Sequence, residues 1–144
     1  MERRQIGTIS LVDETSEQNE YIVEATEPTP CFPFAWDVID FYIKTSAFDS
    51  KYFFLQVKCE TSCLRSVAMY YVGKPPFRGI GIPEEVIRFI SNHFNKTICS
   101  SRKAGRVNYE NRSRDADKVW DRLVKSGEAS YSSELDQYCY DVKK

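Results

Sequence analysis

Little in the sequence places the protein outside ordinary globular chains. Its 144 residues hold no apolar run near the roughly 20 residues that a membrane-spanning helix needs, and the longest candidates, Tyr52–Val57 and Val67–Val72, are of strand length. Six glycines and six prolines are too few for a collagen-like or low-complexity chain, and no internal repeat is visible. One histidine and five cysteines (Cys31, Cys59, Cys63, Cys99, Cys139) make neither a four-ligand zinc set nor an even disulfide framework. The first ten residues, MERRQIGTIS, lack the apolar core of a secretory signal. These absences predict a reduced, soluble, cytoplasmic protein with no membrane partner. What is present, 42 % hydrophobic and 14 % aromatic residues, suffices for one packed domain over 1–144.

The net charge of -1 conceals a polarity. The first 30 residues carry two basic and seven acidic side chains, whereas 74–125 carry twelve basic and six acidic ones, so an anionic ligand is drawn to the second half.

Along the chain, Ile6–Val12 and Tyr21–Ala25 read as an opening antiparallel pair. Three prolines in Pro28–Pro33 predict a linker, because each removes a backbone donor and fixes φ. From Phe34 to Lys44, Ala35, Val38, Ile39, Tyr42 and Ile43 recur at spacings of three and four, which predicts a short helix. Lys51–Cys59 and Leu64–Val72 read as a hairpin around Glu60–Cys63, the second strand being apolar on both faces. A Gly/Pro loop then leads into a helix over Ile82–Phe94, with Pro83, Glu84 and Glu85 in its first turn. Lys96–Ser100 reads as a buried strand and Ser101–Ser113 as a basic loop. Asp115–Ser126 reads as a helix closed by Gly127, and Ala129–Tyr131 with Tyr138–Tyr140 as a terminal hairpin.

The chemistry is carried by strand Val67–Val72, the turn Arg78-Gly79-Ile80-Gly81 and the helix behind it. Two glycines at a helix start let several backbone N–H groups converge where the dipole favours an anion such as pyrophosphate. As a structural alternative, the same glycines only let the chain turn.

This turn, seven to nine residues after an apolar strand, resembles the acetyl-CoA pyrophosphate loop of the GNAT-type N-acetyltransferases, Gln/Arg-x-x-Gly-x-Gly/Ala. The resemblance extends over about Leu64–Tyr140 in its order of helix, strand, Asn-containing loop, helix and strand. It implies an α/β (α+β) fold, with a mixed, mostly antiparallel central sheet flanked by helices. It further implies acetyl-CoA as cofactor and an amine, on a small molecule or a protein, as acceptor. Met69, Tyr70, Tyr71 and Val72 fall where the family holds the pantetheine arm, and Arg78, Gly79, Ile80 and Gly81 where it holds the pyrophosphate. Asn111, Ala116 and Trp120 fall on its later Asn-x₄-Ala-x₃-aromatic pattern. Two positions depart from the family: Pro76 replaces the loop's Gln/Arg, and Trp120 stands where many members have a tyrosine able to protonate the leaving thiolate. No catalytic residue is assigned, and His93 reads as a structural residue of its helix.

A non-catalytic scaffold is the second expectation. In it, the basic loop with Arg102, Lys103, Arg106, Arg112 and Arg114 and the following helix grip nucleic-acid phosphate, or the domain docks a protein. The acids Asp115, Asp117 and Asp121 on that helix oppose a phosphate backbone. Cys59 and Cys63 read as small apolar residues rather than ligands.

Overall fold

The structure, a computed structural model, describes residues 2–12, 17–30, 36–45, 50–73, 81–101 and 114–141. Nine strands and two helices appear among them: β1 (Arg4–Val12), β2 (Gln18–Ala25), β3 (Thr29–Pro30), β4 (Asp37–Lys44), β5 (Tyr52–Cys59), β6 (Leu64–Val72), α1 (Ile82–Phe94), β7 (Ile98–Ser100), α2 (Arg114–Lys125), β8 (Ala129–Ser132) and β9 (Gln137–Tyr140). They form one sheet in the order β1-β2-β4-β5-β6-β7-β9-β8, with β3 attached to β4. Only β6 and β7 run parallel; every other pairing is antiparallel.

The α/β fold of helix-flanked sheet layers does not hold. Strands make up 51 % of the described residues, and the sheet curls into a mostly antiparallel half-barrel with only two short helices. The decisive segment is β4, expected as a helix from Phe34. Ile39, Phe41 and Ile43 alternate into the core while Asp40 and Tyr42 are half-buried between them. The three-and-four spacing left Phe41 out of the stripe, and the β-branched and aromatic side chains fit a pleated surface between β2 and β5. The predicted linker is also partly strand. Thr29 and Pro30 pair with Val38 and Asp37 at the periphery of the sheet, where proline is tolerated; 31–35 lie outside the described residues.

One core serves the whole sheet. Tyr21, Val23, Phe41, Ile43, Phe53, Leu55 and Val57 supply its strand face, and α1 and α2 close it with Val86, Ile87, Ile90, Trp120 and Leu123. Glycine at position 7 is what lets α1 approach β1: a Cβ there would meet the Phe89 ring at 2.6 Å. Each helix ends on a left-handed residue, Asn95 (φ 53°) after α1 and Gly127 (φ 79°) after α2. Arg122 of α2 pairs with Glu84 of α1, and Arg88 of α1 pairs with Glu85 and Glu128, so the helices are tied to each other and to the turn after α2.

The expectation of fully reduced cysteines also fails. Cys99 and Cys139 lie directly opposite in the β7–β9 ladder and are joined by a disulfide. Forty residues separate them in sequence, so only the sheet register reveals the pair.

Candidate functional site

Among the described residues, the sheet parts between its parallel strands. β6 and β7 pair only through Leu64/Ile98, Arg65/Cys99 and Ser66/Ser100. β7 stops there while β6 continues for six residues, paired with β5 alone among the described strands. A seam of buried serines ends the pairing: Ser101 Oγ donates to the Ser66 carbonyl at 2.6 Å and Ser100 Oγ to the Ser101 carbonyl at 2.9 Å. Ser100 Oγ also accepts the Tyr138 N–H at 3.0 Å, and Gln137 Nε2 donates to the Ser100 carbonyl at 2.9 Å, which ties β7 to β9. These bonds take up backbone groups that a continuing strand would have paired.

A bulge lies at the same level. Gln56 pairs with Ala68 and Val57 with Ser66, so Val67 is an extra residue on β6. Beyond it, the backbone edge of Val67–Val72 has no described strand beside it. Its side chains are half-buried except Tyr70, which is 52 % exposed. Met69 and Tyr71 pack against the core, Tyr71 against Phe53 with ring centroids 5.0 Å apart, while Tyr70 packs on Phe54 at 5.1 Å.

The chain returns from β6 into α1 through Gly81, the helix N-cap, at φ 92°. A side chain at this left-handed position would be strained, although an added Cβ would meet nothing closer than Glu84 Oε2 at 3.9 Å. Glu85 N–H already bonds the Gly81 carbonyl and Pro83 has no N–H, so the first-turn amides without a partner among the described residues are those of Ile82 and Glu84. Arg122 pairs with Glu84, and Glu85 shares Arg88 with Glu128, so these three carboxylates keep one negative charge beyond the two guanidiniums.

Of the residues expected to hold a cofactor, Met69, Tyr70, Tyr71 and Val72 share the open stretch of β6, and Gly81 caps α1. Arg78, Gly79, Ile80 and Asn111 lie outside the described residues, as do Pro76 and the basic residues Arg102, Lys103, Arg106 and Arg112. Trp120 is fully buried in α2 and stacks on Tyr138 of β9 at 6.0 Å, and its Nε1–H has no hydrogen-bond partner among the described residues. The phenol oxygen of Tyr140, 1 % exposed on β9, is in the same condition. His93 is exposed and stacks on Phe89. The acids of α2 are partly used in structure, since Tyr138 OH donates to Asp121.

Sequence reasoning missed the serine seam and the bulge. Ser66, Ser100 and Ser101 carry no motif, and the only available signal was the presence of three hydroxyls at the ends of two apolar strands. Burial pushes the thiols of Cys59 and Cys63 above their ordinary range, which fits the reading of both as unreactive small residues. The described residues include no cluster of His, Cys, Asp and Glu fit to hold a metal ion, and no helix long and apolar enough to cross a membrane.

No family model, curated protein or solved structure matches this chain.

Proposed function

We propose that the parting of β6 and β7 binds acetyl-CoA and that the protein transfers the acetyl group to an amine. The observation that carries this reading is that, among the described residues, no strand lies along the second edge of Val67–Val72, beside a strand pair closed off by Ser101. Such an edge offers alternating backbone donors and acceptors to an extended, amide-containing chain, as a pantetheine arm is. Two further observations support it. At the α1 start the helix dipole favours a phosphate, and the acids Glu84 and Glu85 are paired with Arg122 and Arg88. The buried Trp120 Nε1–H lacks an acceptor among the described residues, as a donor reserved for a ligand would.

When bound, the cofactor supplies an activated acyl group as a thioester. The chain's residues align it along β6, hold its phosphates at the helix start and exclude water with Met69 and Tyr71. The acidic first 30 residues suit a cationic amine acceptor. Trp120 cannot act as an acid, so protonation of the departing thiol falls to another group or to solvent.

Calorimetric titration of the protein with acetyl-CoA and with CoA tests this reading. Micromolar binding that Gly81→Asp weakens at least tenfold, in a variant with an unchanged circular dichroism spectrum, is the expected result. The absence of heat at millimolar cofactor would refute it and leave the scaffold reading, in which protein or nucleic-acid partners are sought.

A further inference from the structure

The disulfide has surroundings that a purely structural crosslink does not need. Cys99 and Cys139 stand in one row that crosses five strands: Lys58 on β5, Arg65 on β6, Cys99 on β7, Cys139 on β9 and Ser130 on β8. Ile98 and Tyr140, the next row, belong to the core, so alternation turns the cysteine row to the sheet's other face.

The two sulfurs are not equivalent along that row. Cys99 is 7 % exposed and lies beside Arg65, whereas Cys139 is more open and lies beside Ser130. Arg65 keeps a donor in reserve: one terminal nitrogen reaches Glu60 at 3.0 Å, but its buried Nε has no partner among the described residues. Lys58 shares the same carboxylate at 3.2 Å. Arg65 and Lys58 thus bring two cationic side chains, joined through Glu60, into the row of Cys99. Asp141 follows Cys139 at the end of β9, where its carboxylate accepts from Thr97 Oγ1 at 3.4 Å.

We propose that Cys99–Cys139 is a thiol-exchange site for low-molecular-weight thiols such as glutathione, attacked at Cys139 and releasing Cys99 as a thiolate held by Arg65. A glutathione thiolate forms a bond to Cys139 Sγ. The Cys99–Cys139 bond breaks and its electron pair leaves on Cys99 Sγ, so one disulfide replaces another without net oxidation. A second thiolate then attacks the mixed disulfide, giving oxidised glutathione and two protein thiols after protonation. Attack at the more open sulfur and departure of the better-stabilised thiolate both favour this direction.

The site sits next to Ser100, and among the described residues the β7–β9 pairing extends over only two residue pairs, so exchange loosens the tie between β7 and the terminal hairpin. The inference stands on the register and on Arg65, and is independent of any cofactor.

The test treats native, air-oxidised protein with reduced glutathione, quenches with an alkylating agent and maps the cysteines by peptide mass spectrometry. The expected product is glutathione on Cys139 with alkylated Cys99, while Cys59 and Cys63 carry no glutathione. Arg65→Met is expected to slow formation of the adduct roughly three- to tenfold, and Arg65→Lys to restore most of the rate. Native protein whose Cys99 and Cys139 both alkylate without any reductant would overturn the proposal. So would an adduct on Cys99 in place of Cys139, a result that does not depend on any variant folding. Equal rates for the wild type and a folded Arg65→Met variant would also contradict it.

Discussion

The two ends of the sheet are held together differently. From β1 to β6 the strands are eight or nine residues long, apart from the two-residue β3, and their registers run with few interruptions. From β7 to β8 they are three or four residues long, and side chains take over: the serine seam, the disulfide and the arginine pairs of α1 and α2. Long antiparallel ladders spread their stability over many backbone bonds and alternating apolar pairs. A short-stranded region instead concentrates it in a few contacts, each of which a single substitution can remove. The strand pair that parts, β6 and β7, is the border between these two regimes.

The largest effect is expected from the short-stranded end. Trp120 is fully buried and stacks on Tyr138, so Trp120→Ala is expected to cost about 3–5 kcal/mol in chemical denaturation. Loss of the β8–β9 signals in NMR before those of β1–β5 would sharpen the contrast, and simultaneous loss would break it. Next comes the joint between the regions. Gly7→Ala drives a methyl into the Phe89 ring, and a cost of about 1–3 kcal/mol is expected, recovered in part by Phe89→Leu in a double-mutant cycle.

Removal of one hydroxyl comes third. Ser100→Ala leaves the buried Tyr138 N–H without its acceptor, and about 1–2 kcal/mol should be lost. The half-buried Gln56–Asp40 bond between long strands, at 2.8 Å, is expected to matter less, so Gln56→Ala should cost under about 1 kcal/mol. Equal costs at the two positions would contradict the comparison.

The smallest effect concerns pH. Burial raises both the Cys59 and Cys63 thiols, so the folded protein holds these protons more tightly than the unfolded chain. Their contribution to stability is therefore complete below the ordinary thiol pKa and declines as pH rises through and beyond it. Alkylation of Cys59 and Cys63 in the native protein should accordingly be slow at neutral pH and accelerate only in more alkaline solution than for a model thiol.

Much of the element order was legible from local pattern. β6 and α1 run over the residues their patterns indicated, because an apolar run bounded by Cys63 and Gly73, and a Pro83-Glu84-Glu85 start with a 3.6-residue stripe, have few other solutions. β4 misled because Val38, Ile39, Tyr42 and Ile43 satisfy a helical spacing as well as a strand's, and only the neighbours β2 and β5 decide between them. Losing that helix removed the layer that a helix-flanked fold requires. Of the candidate site, the Met69–Val72 strand and the Gly81 turn were visible locally. The Ser66–Ser101 bond and the Cys99–Cys139 bridge join residues 35 and 40 positions apart, and no local pattern encodes such a meeting.

The most direct test of the account is residue-resolved hydrogen exchange on β6, with and without millimolar acetyl-CoA. Without ligand, the amides that pair with β5 or β7 should be protected while the open-edge amides between Val67 and Val72 exchange fast; with ligand, those open-edge amides should slow at least tenfold. An open edge that exchanges at the same rate in both samples would contradict the proposal that acetyl-CoA binds at the parting of β6 and β7.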